Sequence, residues 1–171
     1  AELAAAAGEE YARRAFIMAN VDNIRNGSYK GIQNVMSHRY SMQWTGDISS
    51  SGDSLNQEVA NMIKAGMNGI AYESSDLGGH NGKPNNEQYL RWTQYGALSP
   101  IYRTHSNNSF ATGRTPWTYG DYETEITRNS LSMRYHLLPV YYALSHDNYM
   151  TGMPMMRSLP NSRIRSSSSE I

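Results

Sequence analysis

The chain has 171 residues, of which 39% are hydrophobic, and its 15 basic and 15 acidic residues balance at neutral pH. This composition is typical of a globular protein with one ordinary core, and it gives no indication of nucleic acid or an acidic membrane as a partner. Cysteine is absent, which excludes disulfides and thiolate metal sites, and no apolar run approaches the roughly 20 residues that a membrane-spanning helix needs.

The first part of the chain predicts a helix, a strand and a loop. Residues 1–14 are Ala-rich, which favours a helix. Residues 15–20, AFIMAN, are a compact apolar run of strand length, and the Gly, Asn and Ser content of residues 24–37 indicates a loop. One strand is therefore predicted before the polar residues that follow Asn20.

An alternating run then ends in a carboxylate. Tyr40, Met42 and Trp44 alternate with Ser and Gln, which predicts a second strand, and Thr and Gly follow as turn residues. Asp47 is thereby predicted to lie at the carboxyl end of this strand, where a carboxylate is well placed for catalysis. The alternative is that Asp47 only starts a turn or caps the next helix.

A helix and a third strand are predicted next. Asp53 or Ser54 can cap the helix, which is expected to end near Gly66. Its apolar face is predicted to consist of Leu55, Val59, Met62 and Ile63. Residues 69–74 predict the third strand.

The glycine-dense loop 75–82 follows this strand and contains two residues that could bind a metal. Asp76 and His80 lie four positions apart in this loop. Two potential ligands with no third nearby are a weak indication of a metal site, so we expect none.

A second helix is predicted over residues 86–98, with Leu90, Thr93 and Ala97 facing inward. Residues 100–103 predict a short fourth strand, which is followed by a polar segment that contains His105. This is the last of four polar segments, each of which follows a predicted strand.

The four predicted strands begin near positions 16, 40, 69 and 100. A strand, loop and helix unit of roughly 25 to 30 residues is typical of repeated β/α units in a parallel sheet. Because the carboxyl ends of parallel strands lie at one side of a sheet, the four polar segments are expected to lie together there. The active sites of β/α barrels are found at that side. The predicted fold class is therefore α/β, with about half of a barrel.

A long helix is predicted from Tyr122 to about Tyr149, with Pro139 expected to kink it. Its buried stripe is predicted to contain Ile126, Ser130, Met133, Leu137, Tyr141 and Leu144. We divide the chain into a barrel part at residues 1–150 and residues 151–171, which begin a further β domain or form a disordered tail.

Seven sequence blocks resemble the second half of the catalytic barrel of glycoside hydrolase family 31. They are WTGD at 44–47, GIAYESSDLGG at 69–79, RWTQYGA at 91–97, YRTH at 102–105, PWTYG at 116–120, MRYHLLP at 133–139 and GMPMMR at 152–157. They follow the family's order. The resemblance implies a partial (β/α)8 TIM barrel, comprising about its last four β/α units, followed by a long helix and the start of a further domain.

The resemblance also implies roles for individual residues. Asp47 resembles the general acid/base that protonates the glycosidic oxygen, and Arg39 and Trp44 would shape the same subsite. Asp76 and His105 resemble residues that hydrogen-bond sugar hydroxyls. The family's chemistry is retaining and uses two carboxyl groups, and it needs no cofactor and no metal.

Three departures from the family's pattern stand out. The nucleophile, an aspartate in a Trp-x-Asp-Met-like motif, has no counterpart, which predicts that the chain is part of a larger polypeptide. An arginine that often follows the fifth barrel strand is missing, which leaves Asp22 or Asn23 as candidates for its contact. His80 stands where many members carry an aromatic, which predicts an altered substrate-binding subsite.

The sequence therefore predicts a fragment of a retaining α-glycoside hydrolase that cleaves α-linked glucosides or related sugars by double displacement. A transglycosylase of the same family and a non-catalytic carbohydrate-binding fragment are the alternatives. The 13 Tyr and 3 Trp against 2 Phe suit a sugar-binding cleft or a subunit interface equally. The expected partners are an oligosaccharide or α-glycoside substrate and the remainder of the polypeptide, with no nucleic acid and no membrane; a homo-oligomer and the compartment stay open.

Overall fold

Three short parallel strands organise the part of the chain that the computed structural model describes, namely residues 17–20, 41–107 and 113–158. Strands β1 (Ile17–Asn20), β2 (Ser41–Trp44) and β3 (Glu73–Ser74) pair in the order β1-β2-β3. Each pair is parallel, with Ile17 opposite Ser41 and Gln43 opposite Glu73. The parallel sheet predicted from the strand spacing is thus confirmed for these three strands, and their carboxyl ends share one edge.

Helix α1 (Gly52–Met67) links β2 to β3 and is capped by Ser51 rather than by the predicted Asp53 or Ser54. The Ser51 hydroxyl accepts a hydrogen bond from the Ser54 amide at 3.1 Å. Asp53 lies in the first turn, where its charge favours the helix N-terminus.

The inward face of α1 differs in part from the predicted one. Leu55 and Met62 are buried as expected, but Val59 is 37% exposed. Glu58 is buried instead, because it accepts a hydrogen bond from the Thr45 hydroxyl just beyond β2. A buried polar contact therefore sets the orientation of this helix.

Strand β3 is shorter than the predicted strand at 69–74. Gly69 has a φ of +85°, and its amide bonds the Gly66 carbonyl at 3.0 Å, while the Ile70 amide bonds the Ala65 carbonyl at 3.0 Å. These bonds close the end of α1. The first residues of the predicted strand are therefore used to end the helix.

Helix α2 (Asn86–Leu98) has the bounds that the sequence predicts. The Asn85 side chain accepts from the Gln88 amide at 2.8 Å and the Gln88 side chain accepts from the Asn85 amide at 3.1 Å, which forms a capping box. Its buried residues are Tyr89, Trp92, Thr93, Gly96 and Ala97, while Leu90 is half-buried. The Tyr89 ring stacks on Tyr119 at a centroid distance of 3.9 Å.

The predicted fourth strand at 100–103 is reduced to one parallel bridge between Leu77 and Thr104. The Leu77 amide donates to the Arg103 carbonyl at 3.1 Å. Arg134 donates to the carbonyls of Ser99 and Pro100 at 2.7 and 3.0 Å. Since a side chain takes these carbonyls, they are not used in a sheet.

The predicted long helix is two helices, α3 (Asp121–His136) and α4 (Leu138–Thr151). The break falls at Leu137, so Pro139 lies in the first turn of α4, where its missing N–H costs nothing. Gly152, with a φ of +75°, ends α4 as expected.

The predicted stripe on this helix is wrong in part. Ser130 is buried, but Met133 is 42% exposed and the other four members are half-buried. Glu123 and Thr127 are the other buried residues of α3. They face α2, with which α3 makes its main packing, so polar residues outside the predicted stripe form part of the buried face.

The core lies behind the carboxyl edge of the sheet. Its larger apolar cluster consists of Ile48, Leu55, Leu77 and Trp92, with Tyr95 and Tyr102 packed against it, and a smaller one consists of Ala65 and Ile70. Within the described ranges, no helix combines the length and apolar character needed to cross a membrane.

Candidate functional site

Four side chains that the sequence singles out lie together at the carboxyl edge of the sheet. Asp47 follows β2 by three residues, Asp76 follows β3 by two, His80 comes from the loop after β3, and His105 follows the segment that bridges to this loop. One nitrogen or carboxylate oxygen of each lies within 4.8 Å of those of the other three. We call Asp47, Asp76, His80 and His105 the Asp–His cluster.

Asp47 is the most accessible member of the cluster. Its side chain is 54% exposed, and its Oδ1 lies 3.6 Å from Nδ1 of His80, whose side chain is 20% exposed. The two atoms are therefore close to each other but beyond hydrogen-bond distance. The carboxyl group therefore faces both the other cluster residues and the open space in front of them.

Asp76 is fully buried and forms an ion pair. Arg103 Nη1 donates to its Oδ1 at 2.5 Å. Burial raises the pKa of the Asp76 carboxyl, while Arg103 and His105 act to lower it. Its Oδ2 has no hydrogen-bond partner among the described residues. Because an unpaired buried carboxylate oxygen is costly, this oxygen is available to a ligand hydroxyl.

The sequence interpretation missed Arg103 as a site residue. Arg103 lies two positions before His105, and alternate residues of an extended segment share a face. This period-2 relation was the available signal. Arg103 holds Asp76 by one oxygen and leaves the other directed elsewhere.

His105 is stacked loosely on His80. Their ring centroids are 5.0 Å apart with an interplanar angle of 35°. Burial lowers the pKa of His105, with the Asp76 charge opposing this effect. A neutral imidazole has one N–H donor and one acceptor, which suits hydrogen bonding to hydroxyl groups.

The loops after β2 and β3 are held together by backbone hydrogen bonds. The amides of His80 and Asn81 donate to the Ile48 carbonyl at 2.8 and 3.0 Å, and the Ser50 amide donates to the Asn81 carbonyl at 2.8 Å. The separation between Asp47 and His80 is thus set by main-chain contacts.

Arg114 joins these two loops by hydrogen bonds to both. Its Nη2 donates to the carbonyls of Gly79 and Gly82 at 2.6 and 2.8 Å and to the Ser50 hydroxyl at 2.9 Å. Arg114 is 5% exposed. A Cβ at Gly78 would collide with its side chain, so this glycine is needed for close approach. Nothing in the local sequence around Arg114 indicates these distant acceptors.

Two buried carboxyl groups, those of Glu58 and Glu73, lie near the cluster, and the sequence analysis did not predict them. Burial raises the pKa of Glu58, although the hydrogen bonds from Thr45, Asn61 and Ser75 oppose this. Burial and the neighbouring Glu58 raise the pKa of Glu73 to about 8. Neither oxygen of Glu73 has a hydrogen-bond partner within the part of the chain that is described.

The other predicted site residues are distributed as follows. Trp44 ends β2 and is half-buried, and its indole N–H has no acceptor among the described residues. Arg39, Asp22 and Asn23 lie outside the described residues. The expectation that Asp76 and His80 have no third potential metal ligand nearby is wrong, because Asp47 and His105 adjoin them.

Comparison with known families identifies one that fits this architecture. The profile of the glycosyl hydrolases family 31 TIM-barrel domain matches residues 33–144. A relative in Oryza sativa subsp. japonica, named probable glucan 1,3-alpha-glucosidase, is 37% identical over 123 residues, which are 72% of this chain and 13% of that protein. The chain thus spans about an eighth of the length of this curated relative.

Solved structures give the same result. The cycloalternan-degrading enzyme from Trueperella pyogenes is similar with a TM-score of 0.69 and 28% identity, over 72% of this chain and 19% of that one. A second structure of the same enzyme, described as in complex with a covalent intermediate, has a TM-score of 0.68 and 28% identity, over 72% of this chain and 18% of that one.

Proposed function

Since this chain belongs to glycosyl hydrolase family 31, we propose that it supplies part of the active site of a retaining α-glycosidase. Its sheet and helices are a portion of a TIM barrel, and the Asp–His cluster lies at the carboxyl edge where such barrels carry out catalysis. The convergence of four polar side chains from three separate segments at this edge is the observation that carries the proposal.

Asp47 is the proposed general acid/base. It is the exposed carboxyl of the cluster, so a glycosidic oxygen can reach it, whereas the Asp76 side chain is fully buried and one of its oxygens is paired with Arg103. In a retaining mechanism such a carboxyl protonates the leaving oxygen and then removes a proton from water. The covalent intermediate named for one structural relative supports a double displacement here.

Asp76 and His105 are the proposed ligands of sugar hydroxyls. The unpaired Oδ2 of Asp76 can accept a hydroxyl hydrogen, and the His105 imidazole can donate or accept. His80 lies between these two residues and Asp47, so it would contact the same sugar or its leaving group. Arg39 and Trp44 are proposed to complete this subsite.

The nucleophile is proposed to come from outside these 171 residues. A retaining pair needs a second carboxyl about 5 to 5.5 Å from the acid. Asp76 lies near Asp47 but is buried and paired with Arg103, which makes it a poor nucleophile. The substrate class is proposed to be α-linked glucosides or closely related sugars, as the name of the rice relative suggests.

The test is Asp47→Asn in the longer polypeptide that contains the nucleophile. Loss of a general acid should lower kcat/KM for an alkyl α-glucoside by roughly 10²- to 10⁴-fold. The loss should be much smaller for α-glucosyl fluoride, whose leaving group needs no proton. Asp53→Asn, in the first turn of α1, is the matched control.

Equal loss on both substrates would contradict the role of Asp47. Product analysis with an acceptor sugar present would separate hydrolysis from transglycosylation, since both use the same residues.

A further inference from the structure

The Asp–His cluster contains a donor set that sugar binding alone does not require. It has two imidazoles and two carboxylates, and their nearest donor atoms all lie within 4.8 Å of one another. Imidazole nitrogen and carboxylate oxygen are the donors that bind zinc at about 2.0 to 2.2 Å. A purely oxygen-based set would favour magnesium or calcium instead.

Two polar atoms of the cluster residues are buried without a hydrogen-bond partner in the described residues. They are Oδ2 of Asp76, whose side chain is fully buried, and Nδ1 of His80. Buried polar atoms are normally paired, so an unpaired oxygen and an unpaired nitrogen on residues of one cluster point to a ligand that would pair with them. A sugar hydroxyl or a cation could satisfy the oxygen.

The cluster can contract around an ion without moving the sheet. Ligands of a tetrahedral ion lie about 3.3 Å apart, and Asp47 and His80 are already separated by 3.6 Å. Asp47 is 54% exposed, so its side chain is free to change rotamer. His105 is half-buried at the end of an irregular segment.

One charge opposes a cation here. Arg103 pairs with Oδ1 of Asp76 and places a positive group next to the cluster. Tight structural metal binding is therefore not expected. The positive charge of Arg103 beside the two carboxylates favours weak, reversible binding of an ion, which substrate can displace.

We propose that the Asp–His cluster is also a binding site for a divalent transition-metal ion of the zinc class, which inhibits the enzyme by competing with the sugar. The inference rests on the proposed function, because it assigns the same four residues to sugar binding and catalysis. The ion inhibits because it and the sugar share ligands: Asp47 and Asp76 cannot bind both at the same time.

The test measures zinc binding directly, on the longer polypeptide, by competition with a chromogenic chelator. We expect one zinc per chain, displaced by substrate or by a competitive sugar inhibitor. His80→Phe and His105→Asn should each weaken binding by at least about tenfold, because each removes one ligand. His146→Gln, on the exposed surface of α4, should leave binding unchanged.

The outcomes separate the two proposals. No stoichiometric binding, or binding unaffected by His80→Phe, overturns the metal site while leaving the Asp47 kinetics untouched. Zinc binding that is lost in both histidine variants supports the metal site even if Asp47→Asn retains full activity, in which case the proposed catalytic role fails alone. Inhibition that sugar does not relieve would show that the ion binds elsewhere.

Discussion

At the scale of single residues, the pair Glu58 and Glu73 shows how burial changes carboxyl chemistry. Glu73 is buried without a hydrogen-bond partner in the described part of the chain, beside a second buried carboxyl. Two charges in such a place would repel each other in a poorly solvated region. The folded protein therefore keeps at least one of them protonated at neutral pH.

Glu73→Gln should make stability less dependent on pH. The Glu73 pKa is about 8 in the folded chain against a reference of 4.5, so the folded state binds the proton more tightly. Its stabilising contribution is complete below pH 4.5 and is lost as the pH rises towards 8. Between pH 5 and 8 the wild type should lose roughly 2 to 4 kcal/mol of unfolding free energy relative to the variant.

Denaturant unfolding at several pH values, on the longer polypeptide, measures this difference. Glu87→Gln provides the control, because Glu87 is a 73% exposed carboxyl on α2. Parallel pH profiles for wild type and Glu73→Gln would contradict the assignment.

The residues that the sequence predicts best are those whose role is local. Asp47 follows an alternating strand and a Thr-Gly turn, so its place at the edge could be read from neighbours in the chain. Glu58 could not, because it lies where an apolar residue is expected and its acceptor role depends on Thr45, which is 13 positions away. Arg114 depends on acceptors more than 30 positions away.

At the scale of elements, the loop after β3 is shaped by contact with the loop after β2. Gly79 has a φ of +78°, and a Cβ there would lie 2.5 Å from the Ser50 Cα. Both the backbone conformation and the space exclude a side chain. The adjacent His80 is therefore held where glycine permits two main chains to touch.

Gly79→Ala should destabilise the longer polypeptide by about 3 kcal/mol or more, since left-handed strain and a backbone clash add together. It should also lower kcat/KM, because His80 must move. Gly52→Ala is the matched control: Gly52 begins α1, with nothing within 4 Å of the added carbon. Thermal unfolding of both variants makes the comparison, and equal melting temperatures would refute the steric argument.

Arg114 joins these same loops through a single guanidinium. Arg114→Lys keeps the charge, but the shorter lysine side chain places its Nζ short of the position from which Arg114 Nη2 donates to two carbonyls and a hydroxyl. We expect a cost of roughly 2 to 3 kcal/mol and a higher KM. Arg128→Lys, at a 65% exposed ion pair on α3, should change stability by less than about 0.5 kcal/mol. Denaturant titration and steady-state kinetics would show whether the two substitutions differ.

Element bounds were predictable where capping and periodicity agree, as in α2, and less so where backbone groups have distant partners. The segment at 100–103 has strand composition, but Arg134 from α3 takes its neighbouring carbonyls. The break at Leu137 was displaced from the expected kink at Pro139 because proline is accepted in the first turn of a new helix. Tertiary contacts decided both cases.

At the scale of the whole molecule, the described surface presents apolar groups in large number along α3 and α4. They include Tyr122, Tyr135, Leu138, Val140, Tyr142, Tyr149 and Met150, each at least 47% exposed. A groove of about 570 Å³ runs between α3 and residues 100–103. Exposed apolar surface of this extent normally contacts another protein segment.

The isolated 171-residue chain should therefore associate in solution and hydrolyse no aryl α-glycoside. β1 has β2 on one side and no strand on the other within the described ranges, which adds an open edge to the apolar helix surface. The proposed nucleophile is also outside the chain, so Asp47 has no partner for a double displacement.

Sedimentation velocity and a fluorogenic substrate test the two expectations separately. A monomeric chain would contradict the interpretation of the apolar surface of α3 and α4 as a contact surface. Turnover that Asp47→Asn abolishes would show that the nucleophile lies within these 171 residues. The longer polypeptide should be active and should associate less than the isolated chain, because the added segments would complete the carboxyl pair and cover the apolar surface.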